Sequence, residues 1–130
     1  RQGCARMKRI ALVFAVAFAL AAPSLRAADS ITYEPKKPGP GKGKHVVLLA
    51  GDEEYRSEEG LPMLAKILSQ KHGFTTTVCF SLGADGTIDP TAAASLSNPE
   101  ALDKADAIVM LLRFRKYPDP IMQKFDAAVK

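Results

Sequence analysis

The segment HVVLLAG at residues 45–51 decides the fold. It is a continuous apolar run with no polar alternation up to Gly51, which is typical of a strand buried on both faces, as in a parallel sheet. A polar loop from Gly51 to Ser57 follows it. A buried strand that ends in such a loop favours an α/β fold.

Two further runs predict strands. Residues 74–82, FTTTVCFSL, are rich in β-branched and aromatic residues and predict a strand at about 75–81. Residues 107–112, AIVMLL, are a third continuous apolar run. A helix lies between the first two strands, because four apolar residues recur there at helical spacing: Leu61, Leu64, Ala65 and Leu68.

The helix boundaries have their own signals. Ser57 can cap the first helix, or Pro62 can delay its start by a turn, and Gly73 can end it in a left-handed cap. Residues 83–100 predict a long loop, with a short helical turn near residues 99–104. Asp119 and Pro120 form an N-cap and first-position pair that begins an amphipathic helix.

This order of elements predicts an α/β, doubly wound, flavodoxin-like parallel sheet. With the three strands numbered along the chain, the expected spatial order is 2-1-3. Three strands with both outer ones unpaired bury little for such a fold, so we expect the domain to be incomplete here and to continue past Lys130.

Residues 1–27 predict upstream residues and a signal peptide. Met7 is followed by the charged pair Lys8 and Arg9 and by an apolar region at 10–22 that is shorter than the roughly 20 residues of a membrane span. Cleavage is expected after Ala27, or alternatively after residue 24. The protein would then be exported to the periplasm or the exterior. The competing interpretation is a buried helix or an uncleaved anchor.

Residues 28–43 predict a Pro/Gly-rich linker before a domain at 44–130. The stretch at 31–44, ITYEPKKPGPGKGK, has a composition that favours an extended, solvated tether. Its lysines leave open a contact with anionic lipid or glycan.

The charge distribution argues against a nucleic-acid partner. The formal net charge is +4, but five of the 18 Lys and Arg residues precede residue 28, and none of the 14 acids does. From Ala28 onward the acids outnumber the bases by one. The charge of this part of the chain therefore does not favour binding to a polyanion. The two cysteines lie far apart, which excludes a disulfide-dense fold, and Cys79 is expected in the core.

Two polar clusters follow the first and third strands. GDEEYRSEE at 51–59 is acidic, and RFRKY at 113–117 is basic. In a doubly wound sheet, ligands bind at the carboxyl ends of the strands where the strand order reverses. The loops should face one another there, with opposite charges in contact. The candidate ligand-binding residues are Asp52, Glu53, Glu54, Tyr55, Arg56, Arg113, Phe114 and Arg115.

Several common chemistries do not match these clusters. A flavodoxin is disfavoured, because three successive carboxylates would repel the phosphate of its flavin. A phosphorelay receiver is disfavoured, because it needs an Asp where Arg113 stands. A Rossmann dinucleotide-binding protein is disfavoured, because its motif needs three glycines and Gly51 is alone. The acids favour a helix N-terminus more than a metal site, so no metal and no cofactor are predicted. Arg113 and Arg115 can grip a ligand or merely order the acidic loop, and both interpretations stay open.

Three segments resemble the ThuA-like (trehalose-utilisation) family. They are residues 45–74, the strand TTTVCFSL and IVMLLRFRKYPDPIMQKFDAAV, of which GDEEYRSEE and RFR are the most specific parts. The resemblance implies a flavodoxin-like fold related to class I glutamine amidotransferases, without their nucleophile, and a carbohydrate-linked role in exported multidomain proteins. A histidine-bearing motif typical of the family is expected beyond Lys130.

Two functional classes follow from these patterns. The first is a sugar-active domain that binds or converts a sugar or keto-sugar, with the acidic loop on the hydroxyls and the arginines orienting the ligand. Tyr55, Phe114 and Tyr117 are placed to stack on such a ligand. The second is a non-catalytic binding or interaction domain of a larger exported protein with fused downstream domains. Membrane contact is expected only through the signal peptide, and whether the chain is an enzyme stays open.

Overall fold

The computed structural model describes residues 30–130, which form an α/β domain around a four-stranded mixed sheet. The predicted signal peptide lies outside the described residues. The strands, in chain order, are β1 at Ser30–Tyr33, β2 at His45–Gly51, β3 at Thr75–Phe80 and β4 at Ala107–Leu112. The helices are α1 at Ser57–His72 and α2 at Asp119–Ala128, with a 3₁₀ helix at Pro99–Lys104.

Strand β2 is the centre of the sheet. It pairs in parallel with β3 on one side and with β4 on the other, so that Val47 lies between Thr77 and Ile108. Residues 46–51 are buried throughout, as a strand covered on both faces requires. The three predicted strands and their parallel pairing are therefore confirmed.

The prediction for the N-terminal side of the sheet is wrong in two respects. Residues 30–33, expected to belong to a linker, form β1, which pairs antiparallel with β3. The sheet is consequently mixed, and its order is β1-β3-β2-β4 instead of three parallel strands alone. The physical reason is local: Ile31, Thr32 and Tyr33 are β-branched or aromatic residues that suit an edge strand, and Thr32 exchanges a hydroxyl hydrogen bond with Thr77 at 3.0 Å.

The segment after β1 is not an extended tether either. Residues 39–44 form hydrogen-bonded turns, and the backbone N–H of Gly41 donates to the carbonyl of His72 at the end of α1, at 2.9 Å. Proline and glycine are typical turn residues, and here they fix the conformation of the loop. The backbone groups of the loop find hydrogen-bond partners without forming a helix or a strand.

The two faces of the sheet are covered by different helices. On one face Leu61 and Ala65 of α1 pack with Leu48, Val78 and Phe80. On the other face the 3₁₀ helix and α2 cover a second apolar cluster, which contains Val47, Leu49, Cys79, Leu96, Ala101 and Leu102. Cys79 is a core residue, as predicted, and burial raises the pKa of its thiol to about 12.

The helix ends follow the sequence signals in part. Helix α1 begins at Ser57 with Pro62 inside it, and Gly73 ends it in a left-handed cap with φ 80°. The 3₁₀ helix occupies residues 99–104, as expected. Asp119 was predicted as an N-cap but is the first residue of α2, with no side-chain capping bond, because Pro118 already takes the extended conformation that precedes the helix.

Strand β4 lies at an edge of the sheet. Within residues 30–130 no strand pairs with its outer side, and Met110 is 57% exposed. In the same part of the chain, no helix has the length and apolar character needed to cross a membrane.

Candidate functional site

The two predicted loops meet at the carboxyl ends of β2 and β4. Gly51 and Leu112 are register partners at the end of this strand pair, and the N–H of Arg113 donates to the carbonyl of Gly51 at 3.1 Å. The loop after β2 and the loop after β4 therefore leave the sheet side by side. Opposite charges are in contact across them, as predicted, in the ion pairs of Arg113 with Glu54 and of Arg115 with Glu53.

Asp52 organises the acidic loop from inside. Its carboxylate accepts hydrogen bonds from the N–H groups of Glu54 at 2.8 Å and Tyr55 at 2.9 Å. Ser57 closes the same loop, since its hydroxyl accepts from the N–H of Asp52 at 2.9 Å. Asp52 is buried, so this candidate ligand-binding residue holds the loop in shape and does not face a ligand.

Arg115 is the buried member of the arginine pair. Its side chain is 7% exposed and its Nη2 donates to Glu53 at 3.1 Å. Its Nη1 donates to the hydroxyl of Ser81 and to the carbonyl of Ala92, each at 3.1 Å, while Nε donates to the carbonyl of Arg113. The guanidinium thus ties together the ends of β2, β3 and β4 and the long loop at 83–98.

Gly51 makes this arrangement possible. A Cβ at this position would lie 3.0 Å from Cδ2 of Leu112 and 3.2 Å from Cδ of Arg115, closer than ordinary contact. The absence of a side chain lets the Arg115 stem cross the end of β2.

Arg113 faces outward. Its side chain is 37% exposed, and its guanidinium lies over the Phe114 ring, 4.7 Å from the centroid. The ring itself is exposed. Glu54, Arg113 and Phe114 therefore form an accessible surface that combines a carboxylate, a guanidinium and an aromatic face.

The remaining candidates divide between the surface and the helix. Tyr55 is exposed beside Glu54. Arg56 pairs with Glu59 in the first turn of α1 and so belongs to the helix start. Glu58, in the same turn, has a buried Oε2 that meets no hydrogen-bond donor among residues 30–130.

Tyr117 was predicted as a stacking residue, and the structure places it elsewhere. Its ring stacks on Phe125 of α2, with centroids 5.8 Å apart and an interplanar angle of 17°. Burial raises the pKa of its hydroxyl. The Tyr117 ring lines an apolar cavity of about 290 Å³ between β4 and α2, together with Met110, Leu112, Arg115, Met122 and Phe125.

Sequence reasoning missed Ser81 and the carbonyl of Ala92. Both satisfy Arg115, although neither belongs to the two charged clusters. Ser81 could have been found, because it follows β3 and the carboxyl ends of neighbouring parallel strands share one edge. Ala92 lies in a loop without periodicity, so no pattern pointed to it. Within residues 30–130 no three side chains among His, Cys, Asp and Glu gather as metal ligands.

Two residues of the site hold strained backbone conformations. Arg56 and Phe114 both have φ of 52°, in the left-handed region that side chains disfavour. Strain of this kind persists where the surroundings hold it in place, and it concentrates at functional sites. At Phe114 this conformation coincides with an exposed ring that lies against the Arg113 guanidinium.

We expect Phe114→Gly to be more stable than Phe114→Ala by about 1 kcal/mol, because both remove the ring and only glycine relieves the left-handed conformation. Urea unfolding of the two variants measures the difference. An alanine variant at least as stable as the glycine variant would show that the loop carries no strain at this position.

Comparisons with protein-family models, curated proteins and solved structures find no match to this chain.

Proposed function

We propose that residues 44–130 belong to a flavodoxin-like, ThuA-like domain that binds a sugar or keto-sugar at the carboxyl edge of its sheet. The observation that carries this proposal is the exposed surface of Glu54, Tyr55, Arg113 and Phe114. A sugar offers hydroxyls that donate and accept hydrogen bonds, and an apolar face of C–H groups. The carboxylate accepts, the guanidinium donates, and an aromatic ring packs on the C–H face.

The arginines have different parts in this proposal. Arg113 contacts the ligand, because it is accessible and has a partner, Glu54, that is itself half exposed. Arg115 is a positioning residue, because its donors are already used inside the protein. The proposal therefore gives Arg113 the ligand-binding role and Arg115 the ordering role.

The pairing of charges is compatible with the binding of a neutral polar ligand. Arg113, Arg115 and Arg56 each have a carboxylate partner, so the site presents balanced polar groups. The second candidate, a non-catalytic binding domain of a larger exported protein, is compatible with the same surface. Export itself rests on the signal peptide proposed for residues 1–27.

We expect Arg113→Ala to weaken saccharide binding at least tenfold, which corresponds to about 1.4 kcal/mol, while stability changes by less than about 1 kcal/mol. A panel of neutral sugars and keto-sugars is screened by the rise in melting temperature and then titrated by calorimetry. Lys124→Ala is the matched control, since it removes one charge from an exposed pair with Asp103 on the α2 face.

Two results would contradict the proposal. The first is that no saccharide raises the melting temperature of the full chain. The second is that Arg113→Ala binds as tightly as the Lys124→Ala control.

A further inference from the structure

The basic loop, residues 35–44, is fixed to the end of α1. Besides the Gly41 bond to His72, the N–H of Lys42 donates to the carbonyl of Gly39 at 3.1 Å, and that of Lys44 donates to the carbonyl of Gly41 at 2.9 Å. The loop joins β1 to β2 at the amino-terminal edge of the parallel strands. It therefore lies at the opposite end of β2 from the candidate sugar site, roughly 20 Å away.

Two glycines let this loop pack closely. A Cβ on Gly39 would lie 2.4 Å from the carbonyl oxygen of His72, and one on Gly41 would lie 2.3 Å from Cγ of Phe74. No side chain fits at either position. Lys42 follows Gly41 directly and Lys37 lies two residues before Gly39. Their backbone is therefore held in place, so little backbone ordering entropy is lost when they bind a partner.

Three of these lysines surround a cavity. Lys36, Lys37 and Lys42 line a hollow of about 280 Å³ whose walls also include Pro35 and Pro38. The hollow is open to solvent, and its size is sufficient for an anionic group with its hydration. Lys44 differs, because it pairs with Asp106 at 2.8 Å. Among the described residues no carboxylate pairs with the three lysines of the hollow.

We propose that the basic loop is a docking surface for an anionic polysaccharide, whose sulfate or carboxylate groups enter the hollow between Lys36, Lys37 and Lys42. Ammonium groups are compact point charges that match such anions. The loop has no aromatic side chain on which a nucleic-acid base could stack and no long apolar side chain that could enter a membrane. The proposal does not depend on the sugar site, which lies at the other end of the sheet.

The test is a titration of the full chain with a heparin oligosaccharide. We expect binding that weakens by roughly 40-fold between 50 and 200 mM salt, as three lysine–anion contacts with about 0.9 released counterions each require. The variant Lys36→Ala/Lys37→Ala/Lys42→Ala should lose at least tenfold in affinity. The control Lys66→Ala/Lys116→Ala/Lys124→Ala removes the same charge elsewhere and should bind nearly as the unaltered chain does.

A further variant separates the fixed geometry from simple charge. Gly41→Ala keeps every lysine but forces the loop away from Phe74, so we expect weaker heparin binding at unchanged net charge. Equal loss in both triple variants would overturn the proposal, since charge alone would then explain binding. Tighter binding of a single-stranded oligonucleotide or of phosphatidylglycerol-rich vesicles than of heparin would also overturn it, as would equal binding of neutral dextran.

Discussion

Arg115→Ala should lower the free energy of unfolding by about 3 kcal/mol, because the variant leaves four polar groups, at the ends of three strands and in the long loop, without the donor that now satisfies them. The side chain of Arg115 is almost fully buried and donates to Glu53, Ser81 and two carbonyl groups. For a domain of about 100 residues the melting temperature should fall by about 15 °C. Thermal unfolding followed by circular dichroism measures this loss.

The control for this prediction is Arg113→Ala. It removes the same guanidinium two residues away, but from an exposed pair, which contributes only about 0–1 kcal/mol. Arg115→Lys should recover little, because one ammonium cannot reach acceptors that a forked guanidinium joins. If Arg115→Ala and Arg113→Ala lower the melting temperature equally, the division between a positioning and a ligand-binding arginine is wrong.

The parallel strands could be predicted because a strand that is buried on both faces has a recognisable, continuously apolar composition. A strand covered on both faces cannot alternate, and HVVLLAG does not. Strand β1 could not be predicted in the same way. It has four residues, lies at an edge, and is followed at once by a glutamate and a proline, so its β-branched and aromatic residues are too short a signal by themselves, and pairing with β3 stabilises it.

Strand β4 shows the limit of the same reasoning. AIVMLL has the composition of an interior strand, yet its outer edge is unpaired among residues 30–130 and Met110 is largely exposed. The composition of a strand indicates the environment in which it is stable. The exposure of its side chains depends on which strands and helices pack against it. The continuation of the domain past Lys130 stays a prediction.

The contact between the two charged loops could also be predicted, but the roles of the individual residues could not. Opposite charge and strand adjacency bring Glu53 and Glu54 to the arginines. Which arginine is buried depends on Ser81 and on the carbonyl of Ala92, and the latter is brought there by a long loop with no periodic pattern. Positions that depend on irregular backbone leave no signal in local sequence.

Asp52→Ala should lower the free energy of unfolding by about 2 kcal/mol, because the N–H groups of Glu54 and Tyr55 lose a charged, buried acceptor at the start of an otherwise exposed turn. Asp52→Asn keeps one oxygen acceptor of the same size and should lose less than about 1 kcal/mol. Urea unfolding of both variants measures the difference.

The same pair of variants tests how the acidic loop serves the site. Asp52 does not face the proposed ligand, yet it sets the positions of Glu54 and Tyr55, which do. Saccharide affinity should therefore fall in Asp52→Ala and be largely retained in Asp52→Asn, although both variants lack the Asp52 charge. If affinity falls equally in both, the carboxylate charge itself matters to the ligand, and Asp52 acts there directly and not through the shape of the loop.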